Sequence, residues 1–316
     1  MTLARLELDT LNAQIRQFLH SDVALIEQIA EYIISSGGKR LRPIILMMIA
    51  KALGCSDDMR YKLAAIVEFV HTSTLLHDDV VDESTLRRGR NTANAVWGNA
   101  ASVLVGDFLY SRSFQMMVGT GNMYVQEILA NTTNILSEGE VLQLMNAHDP
   151  DVTVDGYMQV IHYKTAQLFD ASARLGAVVS GAPKEIEEAC ATYGRSIGTA
   201  FQIIDDILDY ESSAEEMGKN VGDDLREGKP TLPLIIAMKQ GTPEQRELVR
   251  NAIINGETEN LQKIFEAVQA TGGIEYSRDI AQKEVRIGCD ALKILPDSIY
   301  KTALIEFALQ SVDRKS

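Results

Sequence analysis

The sequence predicts an all-α protein with a single domain. Almost every segment places apolar residues at the 3.6-residue spacing of a helix, and the period-two alternation of a half-buried strand is hard to find. Glycine and proline cluster between these segments, where they end one helix and begin the next. No shift in composition and no flexible linker divides the chain, so residues 1–316 are predicted to form one domain.

Seven segments with helical spacing follow one another along the first two thirds of the chain. They are Leu3 to Ile34, Pro43 to Leu53, Asp58 to His77, Ala100 to Met117, Val125 to Met145, Val154 to Ser180 and Lys184 to Tyr210. A further helix is predicted to begin at Thr242-Pro243-Glu244, which supplies a cap residue, proline at the first helical position and acid in the first turn.

Composition and charge exclude several classes of protein. An apolar content of 46% excludes a disordered chain. The 44 acidic and 30 basic residues give a net charge of −14, which disfavours nucleic acid and anionic membranes as partners. An anionic substrate would therefore have to be held by metal ions or by local clusters of basic residues.

Cysteine usage and apolar runs predict a cytoplasmic protein without stable membrane insertion. Cys55, Cys190 and Cys289 are odd in number and lack C-x-x-C spacing, so neither a disulfide framework nor a zinc site is predicted. The N-terminal stretch mixes charges among its leucines, unlike a secretory signal. The longest strongly apolar stretch, Pro43 to Ala50, is too short to span a bilayer.

The chemistry is predicted to centre on an acidic motif, Leu75 to Asp82, which ends an apolar helical run. Asp78 and Asp82 stand four residues apart and share a helix face, whereas Asp79 is rotated by roughly 100°. Carboxylates near a helix C-terminus oppose the helix dipole at a cost of up to about 1 kcal/mol each, so a role other than stability is indicated. Two aligned carboxylates with a third beside them suit a cation.

A second D-D-x-x-D motif repeats the pattern at Asp205, Asp206 and Asp209. A solvated acidic helix face is the alternative for a single copy, whereas two copies with apolar flanks favour a metal site. Six carboxylates facing one another would repel strongly unless divalent cations neutralised them. Mg²⁺ fits best, because it takes oxygen ligands and prefers one or two carboxylates together with substrate phosphates.

The stretch from Gly37 to Pro43 is the first of two basic candidates for a phosphate site. Lys39 and Arg42 precede a predicted helix that begins at Pro43. Because a residue before proline avoids the helical conformation, Arg42 is predicted to be extended, on a lead-in beside the positive helix N-terminus. A solvated basic turn is the alternative.

The second basic candidate is Arg87-Arg88, which follows the first acidic motif. The two arginines can point opposite ways, and each can hold a different phosphate through a bidentate fork. Salt bridges with the nearby aspartates are the alternative. His71, two helical turns before Asp78 on the same face, could donate to a phosphate oxygen, or it could be an ordinary core histidine.

One long irregular stretch, Glu211 to Pro230, follows the second acidic motif. It carries two glycine-lysine pairs, Gly218-Lys219 and Gly228-Lys229. Its position and its mixture of glycine and lysine predict a mobile lid over phosphates, with a plain surface loop as the alternative.

Taken together, these residues resemble the trans-polyprenyl diphosphate synthase family. Five motifs match in order: G-G-K-R-L-R-P at Gly37, L-L-H-D-D-V-V-D at Leu75, R-R-G at Arg87, K-T at Lys164 and F-Q-I-I-D-D-I-L-D at Phe201. The flanking sequence is most similar to the bacterial octaprenyl branch. The resemblance implies an isoprenoid synthase-like helical bundle around a central cavity, active as a homodimer, with the acidic motifs on facing helices.

The resemblance also implies a reaction, in which isopentenyl diphosphate units are added to an allylic primer, farnesyl diphosphate, to build a long all-trans chain, octaprenyl, for a quinone. Roughly two or three Mg²⁺ ions would assist ionisation. The implied metal ligands are Asp78, Asp82 and Asp205. The implied allylic diphosphate ligands are Arg87, Lys164, Thr165, Gln202, Lys219 and Lys229, of which Lys164, Thr165 and Gln202 are also implied to be catalytic. Isopentenyl diphosphate is implied to bind Lys39, Arg42, His71 and Arg88.

Product length is predicted from the side chains beneath the first acidic motif. A helix rises about 1.5 Å per residue, so Thr74 and Ser73 lie roughly 6 to 7.5 Å below the metals. Aromatic residues close the pocket there in short-chain members of the family that the sequence resembles, so small side chains predict a long product. By resemblance, Met117 and Leu129 form the floor of the pocket, with ordinary core filling as the alternative.

Two other functions stay open at this point. A terpene cyclase also ionises a prenyl diphosphate, but it binds no second diphosphate, so Lys39, Arg42 and Arg88 argue against it. A catalytically silent regulatory subunit that pairs with an active synthase would not need intact motifs at both sites. Activity of the purified chain alone would decide between these functions.

Overall fold

The computed structural model of the protein describes residues 2–211, 222–256 and 259–313. It confirms the all-α prediction, since nearly all its regular structure is helical. The chain divides into two compact units, each assembled from three segments: unit 1 from residues 1–133, 168–194 and 291–305, and unit 2 from residues 134–167, 195–290 and 306–316. One domain over residues 1–316 stays a prediction.

The elements follow one another in a simple order. They begin with α1 (Thr2–Leu19), α2 (Ala24–Ser35), α3 (Leu41–Ala52), α4 (Met59–Val81), β1 (Leu86–Arg87), β2 (Arg90–Asn91), α5 (Ala93–Trp97), α6 (Asn99–Val118), α7 (Met123–Asn146) and α8 (Val154–Ile161). They continue with a π-helical turn (His162–Ala166), α9 (Gln167–Val179), α10 (Lys184–Glu211), α11 (Asp223–Arg226), α12 (Leu232–Gln240), α13 (Pro243–Asn255), α14 (Leu261–Ala270), α15 (Gly273–Ala291), a 3₁₀ turn (Leu292–Ile294) and α16 (Ile299–Val312).

The first predicted helical segment, Leu3 to Ile34, is two helices rather than one. The break lies between α1 and α2, where the Ser21 hydroxyl accepts a hydrogen bond from the Val23 N–H at 3.2 Å. The Ser21 N–H in turn donates to Glu27 at 3.0 Å. Serine side chains compete with helical hydrogen bonds in this way, so periodicity alone overestimates the length of the helix.

Helix α3 begins two residues earlier than proline placement predicted, so Arg42 is helical rather than extended. Arg40 caps the helix in the left-handed conformation, with φ of +47°. The first bond of the helix runs from the Ile44 N–H to the Arg40 carbonyl at 3.0 Å. Pro43 therefore lies within the first turn, where its missing N–H costs no intrahelical hydrogen bond.

Helix α4 is largely buried in unit 1 and carries the first acidic motif at its C-terminus. It ends in a Schellman motif: the Ser84 N–H donates to the Asp79 carbonyl at 3.0 Å, and the Glu83 N–H to the Val80 carbonyl at 3.3 Å. Glu83 has φ of +51°, a conformation that usually selects glycine. This end fixes Asp82 as the C-cap residue of the helix.

Within residues 2–211, 222–256 and 259–313, a short hairpin of two-residue strands, β1 and β2, departs from the helical pattern, and it carries the R-R-G motif. Leu86 pairs with Asn91 and Arg87 with Arg90. The turn residues Arg88 and Gly89 both have positive φ, +53° and +72°, as a type I′ turn requires.

Unit 2 has an apolar core that includes Tyr210, the residue after the second acidic motif. Its buried residues include Leu225, Leu234, Val249 and Ile264. The helix start predicted at Thr242 is present as a capping box, in which Thr242 and Gln245 each accept a hydrogen bond from the other's backbone N–H.

Candidate functional site: two acidic motifs and their basic partners

The first acidic motif divides into exposed and buried carboxylates. Asp78 and Asp82 are partly exposed, whereas Asp79 is 1% exposed. Asp79 accepts two hydrogen bonds on Oδ1 from Arg87, from Nε at 2.8 Å and from Nη2 at 2.7 Å. Burial raises the pKa of Asp79, and the Arg87 guanidinium lowers it. Asp79 therefore holds Arg87, whereas Asp78 and Asp82 keep partial access to solvent.

The second motif divides in the same way. Asp205 is partly exposed, whereas Asp206 and Asp209 are buried. Asp206 accepts hydrogen bonds from Tyr157 at 2.7 Å and from Gln202 at 2.8 Å. Asp209 accepts one from the Gly222 N–H at 3.3 Å. The carboxylate of this motif with solvent access is thus Asp205.

The donor chemistry of the exposed carboxylates fits a hard divalent cation. Asp78, Asp82 and Asp205 supply oxygen atoms, which Mg²⁺ and Ca²⁺ both prefer. Across residues 2–211, 222–256 and 259–313, no three histidine, cysteine or acidic side chains form a ready metal cluster. Mg²⁺ is commonly held by one or two carboxylates with substrate phosphates completing the shell.

Arg42 and His71 come together on α3 and α4. Arg42 Nη1 lies 3.2 Å from His71 Nε2, and its guanidinium stacks 4.4 Å from the centre of the Phe169 ring. Arginine can only donate, so His71 Nε2 accepts, and the imidazole is neutral with its proton on Nδ1. Burial, reinforced by Arg42 and Arg88, lowers the pKa of His71 well below its usual value. A phosphate oxygen would thus meet Arg42 directly and His71 only through Nδ1–H.

Arg88 joins the two predicted basic clusters into one site. Its Nη1 donates to the Gly37 carbonyl. At Gly38, an added Cβ would lie 2.7 Å from the same Nη1, so only glycine leaves room for the guanidinium. Lys39 follows directly and is exposed. Arg87 and Arg88 therefore have different partners. The pair of Arg87 with Asp79 is the salt bridge that the sequence left as the alternative, and the phosphate contacts of both arginines stay predictions.

A buried ion pair supports this cluster, and sequence reasoning missed it. Arg40 Nη1 pairs with Glu68, and Arg40 Nη2 donates to the Ile34 carbonyl at 2.7 Å. The Glu68 side chain is 6% exposed and that of Arg40 is 12% exposed. The available signal was Glu68 itself, a carboxylate within an apolar helical run, three residues before His71.

In unit 2, the K-T motif lies on the π-helical turn. Lys164 Nζ donates to Glu140 Oε2 on α7 at 2.7 Å. At Gly139 an added Cβ would lie 2.7 Å from the Lys164 backbone nitrogen, so α7 can approach this turn only through glycine. Thr165 Oγ1 donates to Gln202 Oε1 on α10 at 2.9 Å. Three predicted catalytic residues, Lys164, Thr165 and Gln202, are thus anchored by neighbouring helices.

The predicted lid is described only in part. Lys219 and the rest of 212–221 lie outside the described residues. From Gly222 onward the chain forms the short helix α11, and the Lys229 N–H donates to the Asp224 carbonyl at 2.8 Å. The Lys229 ammonium pairs with Glu227. Mobility of the whole stretch stays a prediction.

The chain-length candidates occupy different environments. Ser73 is buried and donates to the Gly106 carbonyl of α6 at 2.8 Å, so it faces α6. Thr74 is partly exposed, on the same face of α4 as Asp78. Met117 and Leu129 are buried in unit 1. The roles given to these four residues stay predictions.

Among the described helices, none has a stretch long and apolar enough to cross a lipid bilayer.

Known proteins resemble this chain over almost its whole length. A family model described as Polyprenyl synthetase matches residues 23–271. Octaprenyl diphosphate synthase of Escherichia coli (strain K12) is 52% identical over 304 residues, which cover 96% of this chain and 94% of that protein. The all-trans-nonaprenyl-diphosphate synthase (geranyl-diphosphate specific) of Rhodobacter capsulatus is 46% identical over 302 residues, 95% of this chain and 92% of that protein.

A solved structure agrees with the fold. The polyprenyl synthase from Caulobacter crescentus CB15, complexed with calcium and isoprenyl diphosphate, superposes with a TM-score of 0.96 at 43% identity, covering 100% of this chain and 97% of that one. The predicted isoprenoid synthase-like fold and trans-prenyltransferase activity are confirmed. The chain belongs to the polyprenyl synthetase family and is a trans-polyprenyl diphosphate synthase.

Proposed function

We propose that this enzyme adds isopentenyl diphosphate units to farnesyl diphosphate and makes all-trans octaprenyl diphosphate for the side chain of a quinone. The observation that carries the proposal is the Arg42, His71 and Arg88 cluster, a second anion site in addition to the acidic motifs. A condensing enzyme needs such a site and a terpene cyclase does not. The 52% identity to an octaprenyl diphosphate synthase supports the product length.

The division of the motifs by burial supports the proposed metal ligands. Asp78, Asp82 and Asp205 would hold Mg²⁺, roughly two or three ions per active site. Bound Mg²⁺ would supply positive charge to the diphosphate of the allylic substrate as the C–O bond breaks. Members of the family use a divalent metal.

Basic side chains would share the charge that develops on the departing diphosphate. Lys164, Lys229 and Lys219 supply ammonium groups, and Arg87 supplies a guanidinium oriented by Asp79. An arginine has five N–H donors, so two bonds to Asp79 leave donors for a phosphate. Thr165 and Gln202 would supply oxygens near the allylic cation.

Isopentenyl diphosphate would be held by Lys39, Arg42, His71 and Arg88, so that its double bond attacks the allylic cation. This step depends on position more than on covalent catalysis. The proton lost after bond formation would go to the released diphosphate, and no protein base is assigned.

The enzyme would act as a homodimer in the cytoplasm. Support for the homodimer comes from exposed apolar side chains of unit 1, which include Val96, Leu104, Val118 and Met123. Support for the cytoplasm comes from the cysteines, all of which are free thiols. Light scattering should give the mass of a dimer, and Leu104→Glu should lower it.

Incubation of the purified chain with farnesyl diphosphate, labelled isopentenyl diphosphate and Mg²⁺ tests the activity. We expect label in a long prenyl diphosphate, and none after chelation of the metal. A cyclic hydrocarbon without label would indicate a cyclase. Turnover only after addition of a second protein would indicate a silent subunit.

A further inference from the structure

Four side chains form a continuous hydrogen-bonded chain behind the second acidic motif. The Tyr157 hydroxyl donates to Asp206 Oδ2 at 2.7 Å, and Gln202 Nε2 donates to Asp206 Oδ1 at 2.8 Å. Thr165 Oγ1 then donates to Gln202 Oε1 at 2.9 Å. This hydrogen-bonded chain begins at Tyr157 on α8, passes through Asp206 and Gln202 on α10, and ends at Thr165 on the π-helical turn.

Each hydrogen bond in this series has a defined donor and a defined acceptor. Asp206 accepts on both of its oxygens, Oδ2 from the Tyr157 hydroxyl and Oδ1 from Gln202 Nε2. With its nitrogen toward Asp206, the Gln202 amide turns Oε1 toward Thr165, where it accepts from Oγ1. The only proton of the Thr165 hydroxyl is thus used toward Gln202.

Burial makes the arrangement rigid. Tyr157 is 5% exposed, Asp206 is 4% exposed and Thr165 is 8% exposed. Burial, and next the Asp206 carboxylate, raise the pKa of Tyr157 well above its usual value, so the phenol keeps the proton that it donates. Buried polar groups are costly to leave unpaired, which holds the chain in a single pattern.

We propose that Tyr157 and Asp206 are positioning residues, which orient the Gln202 amide so that the lone pairs of the Thr165 hydroxyl are presented to the allylic cation. Asp206 is then not a metal ligand, although it belongs to the D-D-x-x-D motif. This inference rests on the proposed function.

Two substitutions at Asp206 separate positioning from metal binding. Asp206→Ala removes both acceptors, and we expect kcat to fall by about a hundredfold. Asp206→Asn keeps an oxygen for Gln202 and an amide N–H for the Tyr157 oxygen, and we expect kcat within about fivefold of the parent enzyme. The Mg²⁺ concentration for half activation should stay unchanged in both. Loss of activity in Asp206→Asn equal to that in Asp206→Ala, with a raised Mg²⁺ requirement, would overturn the proposal.

Tyr157→Phe removes the hydroxyl at the end of the hydrogen-bonded chain farthest from Thr165. It tests the positioning role even if Asp206→Ala does not fold. We expect kcat to fall by about tenfold while KM for both substrates changes by less than about twofold. Tyr193→Phe is the matched control, since that buried hydroxyl on α10 donates to the Leu304 carbonyl instead. Equal effects of Tyr157→Phe and Tyr193→Phe would overturn the proposal.

A double-mutant cycle tests whether Tyr157 acts through Gln202. In a Gln202→Leu background, Tyr157→Phe should have no further effect on kcat, whereas an independent structural role would give additive losses. Condensation by the parent enzyme is measured first, so failure of the proposed function appears there. Failure of the positioning role appears only in the variants.

Discussion

Arg87 donates from Nε and Nη2 to a single oxygen, Oδ1 of Asp79, at 2.8 and 2.7 Å. The carboxylate is 1% exposed, whereas 31% of the Arg87 side chain is exposed. A buried acid therefore holds an arginine whose other N–H groups can reach a substrate. Asp79 thus has a different environment from Asp78 and Asp82 of the same motif.

Asp79→Asn should destabilise the protein while leaving the metal requirement unchanged. Weakening this ion pair should lower the free energy of unfolding by about 1 to 3 kcal/mol, less than for a pair buried on both sides. Chemical denaturation and Mg²⁺ titration of activity measure the two effects. A raised Mg²⁺ requirement without loss of stability would show that Asp79 is a ligand.

Asp78→Ala and Asp205→Ala should have the opposite profile. Turnover should fall by several orders of magnitude while the helical fold is kept, because partly exposed metal ligands contribute little to packing. Circular dichroism and single-turnover assays measure both effects. Glu306→Ala, which removes an exposed carboxylate from α16, is the control and should keep full activity. An active Asp78→Ala enzyme at ordinary Mg²⁺ would refute the metal role.

Lys39→Ala and Arg42→Ala should raise KM for isopentenyl diphosphate more than KM for the allylic primer. Both residues belong to the cluster with His71 and Arg88, which we assign to isopentenyl diphosphate. Arg16→Ala, a loss of charge at a side chain that is 68% exposed, is the control. Equal increases of KM for both substrates would undo the assignment of two separate sites.

His71 should remain neutral as the pH falls below 6.5, because burial and neighbouring arginines lower its pKa. The unfolded chain takes up a proton near pH 6.5 that the folded protein refuses, so stability is constant above about pH 6.5 and is lost as the pH falls toward the folded pKa. Chemical denaturation would give the free energy of unfolding of the parent protein and of His71→Gln between about pH 5 and pH 8. Below about pH 6.5 the parent should lose the stability that depends on His71, and His71→Gln should not show this loss. A His71 NMR signal that titrates at or above pH 6.5 without substrate would contradict this.

Ser73→Phe should shorten the product to about C15 to C20, and Met117→Ala should lengthen it, if the growing chain follows α4. The new ring must also be accommodated beside α6, since Ser73 contacts the Gly106 carbonyl. A changed product from Ser73→Phe would then have two explanations, a blocked pocket or a disturbed contact with α6. Thr74→Phe, on the face shared with Asp78, separates them. Full-length product from both phenylalanine variants would show that the product does not extend along this helix.

Periodicity predicted most of the helices, and spacing predicted which carboxylates of the first acidic motif share a helix face, while the choice of metal ligands stays a prediction. The face geometry of an α-helix separates Asp78 and Asp82 from Asp79, and burial in the structure divides them in the same way. The R-R-G motif predicted that its arginines point apart, with salt bridges to the aspartates as the alternative. Arg87 pairs with Asp79 and Arg88 contacts the Gly37 carbonyl, so their binding to different phosphates stays a prediction.

Features that depend on contacts between residues distant in the chain could not be predicted from the sequence. The early start of α3 follows from the left-handed conformation of Arg40 and its pair with Glu68. The His71 tautomer depends on the contact with Arg42. The π-helical turn interrupts the segment from Val154 to Ser180, whose periodicity is that of one continuous helix. Local patterns carry no information about such partners.

Product length tests most directly whether this enzyme is a long-chain condensing enzyme. Purified enzyme would be given farnesyl diphosphate, isopentenyl diphosphate and Mg²⁺, and the dephosphorylated products would be separated by chain length. We predict a C40 alcohol as the main product. Products that stop at about C15 to C20, or a cyclic hydrocarbon made without isopentenyl diphosphate, would contradict a long-chain condensing activity.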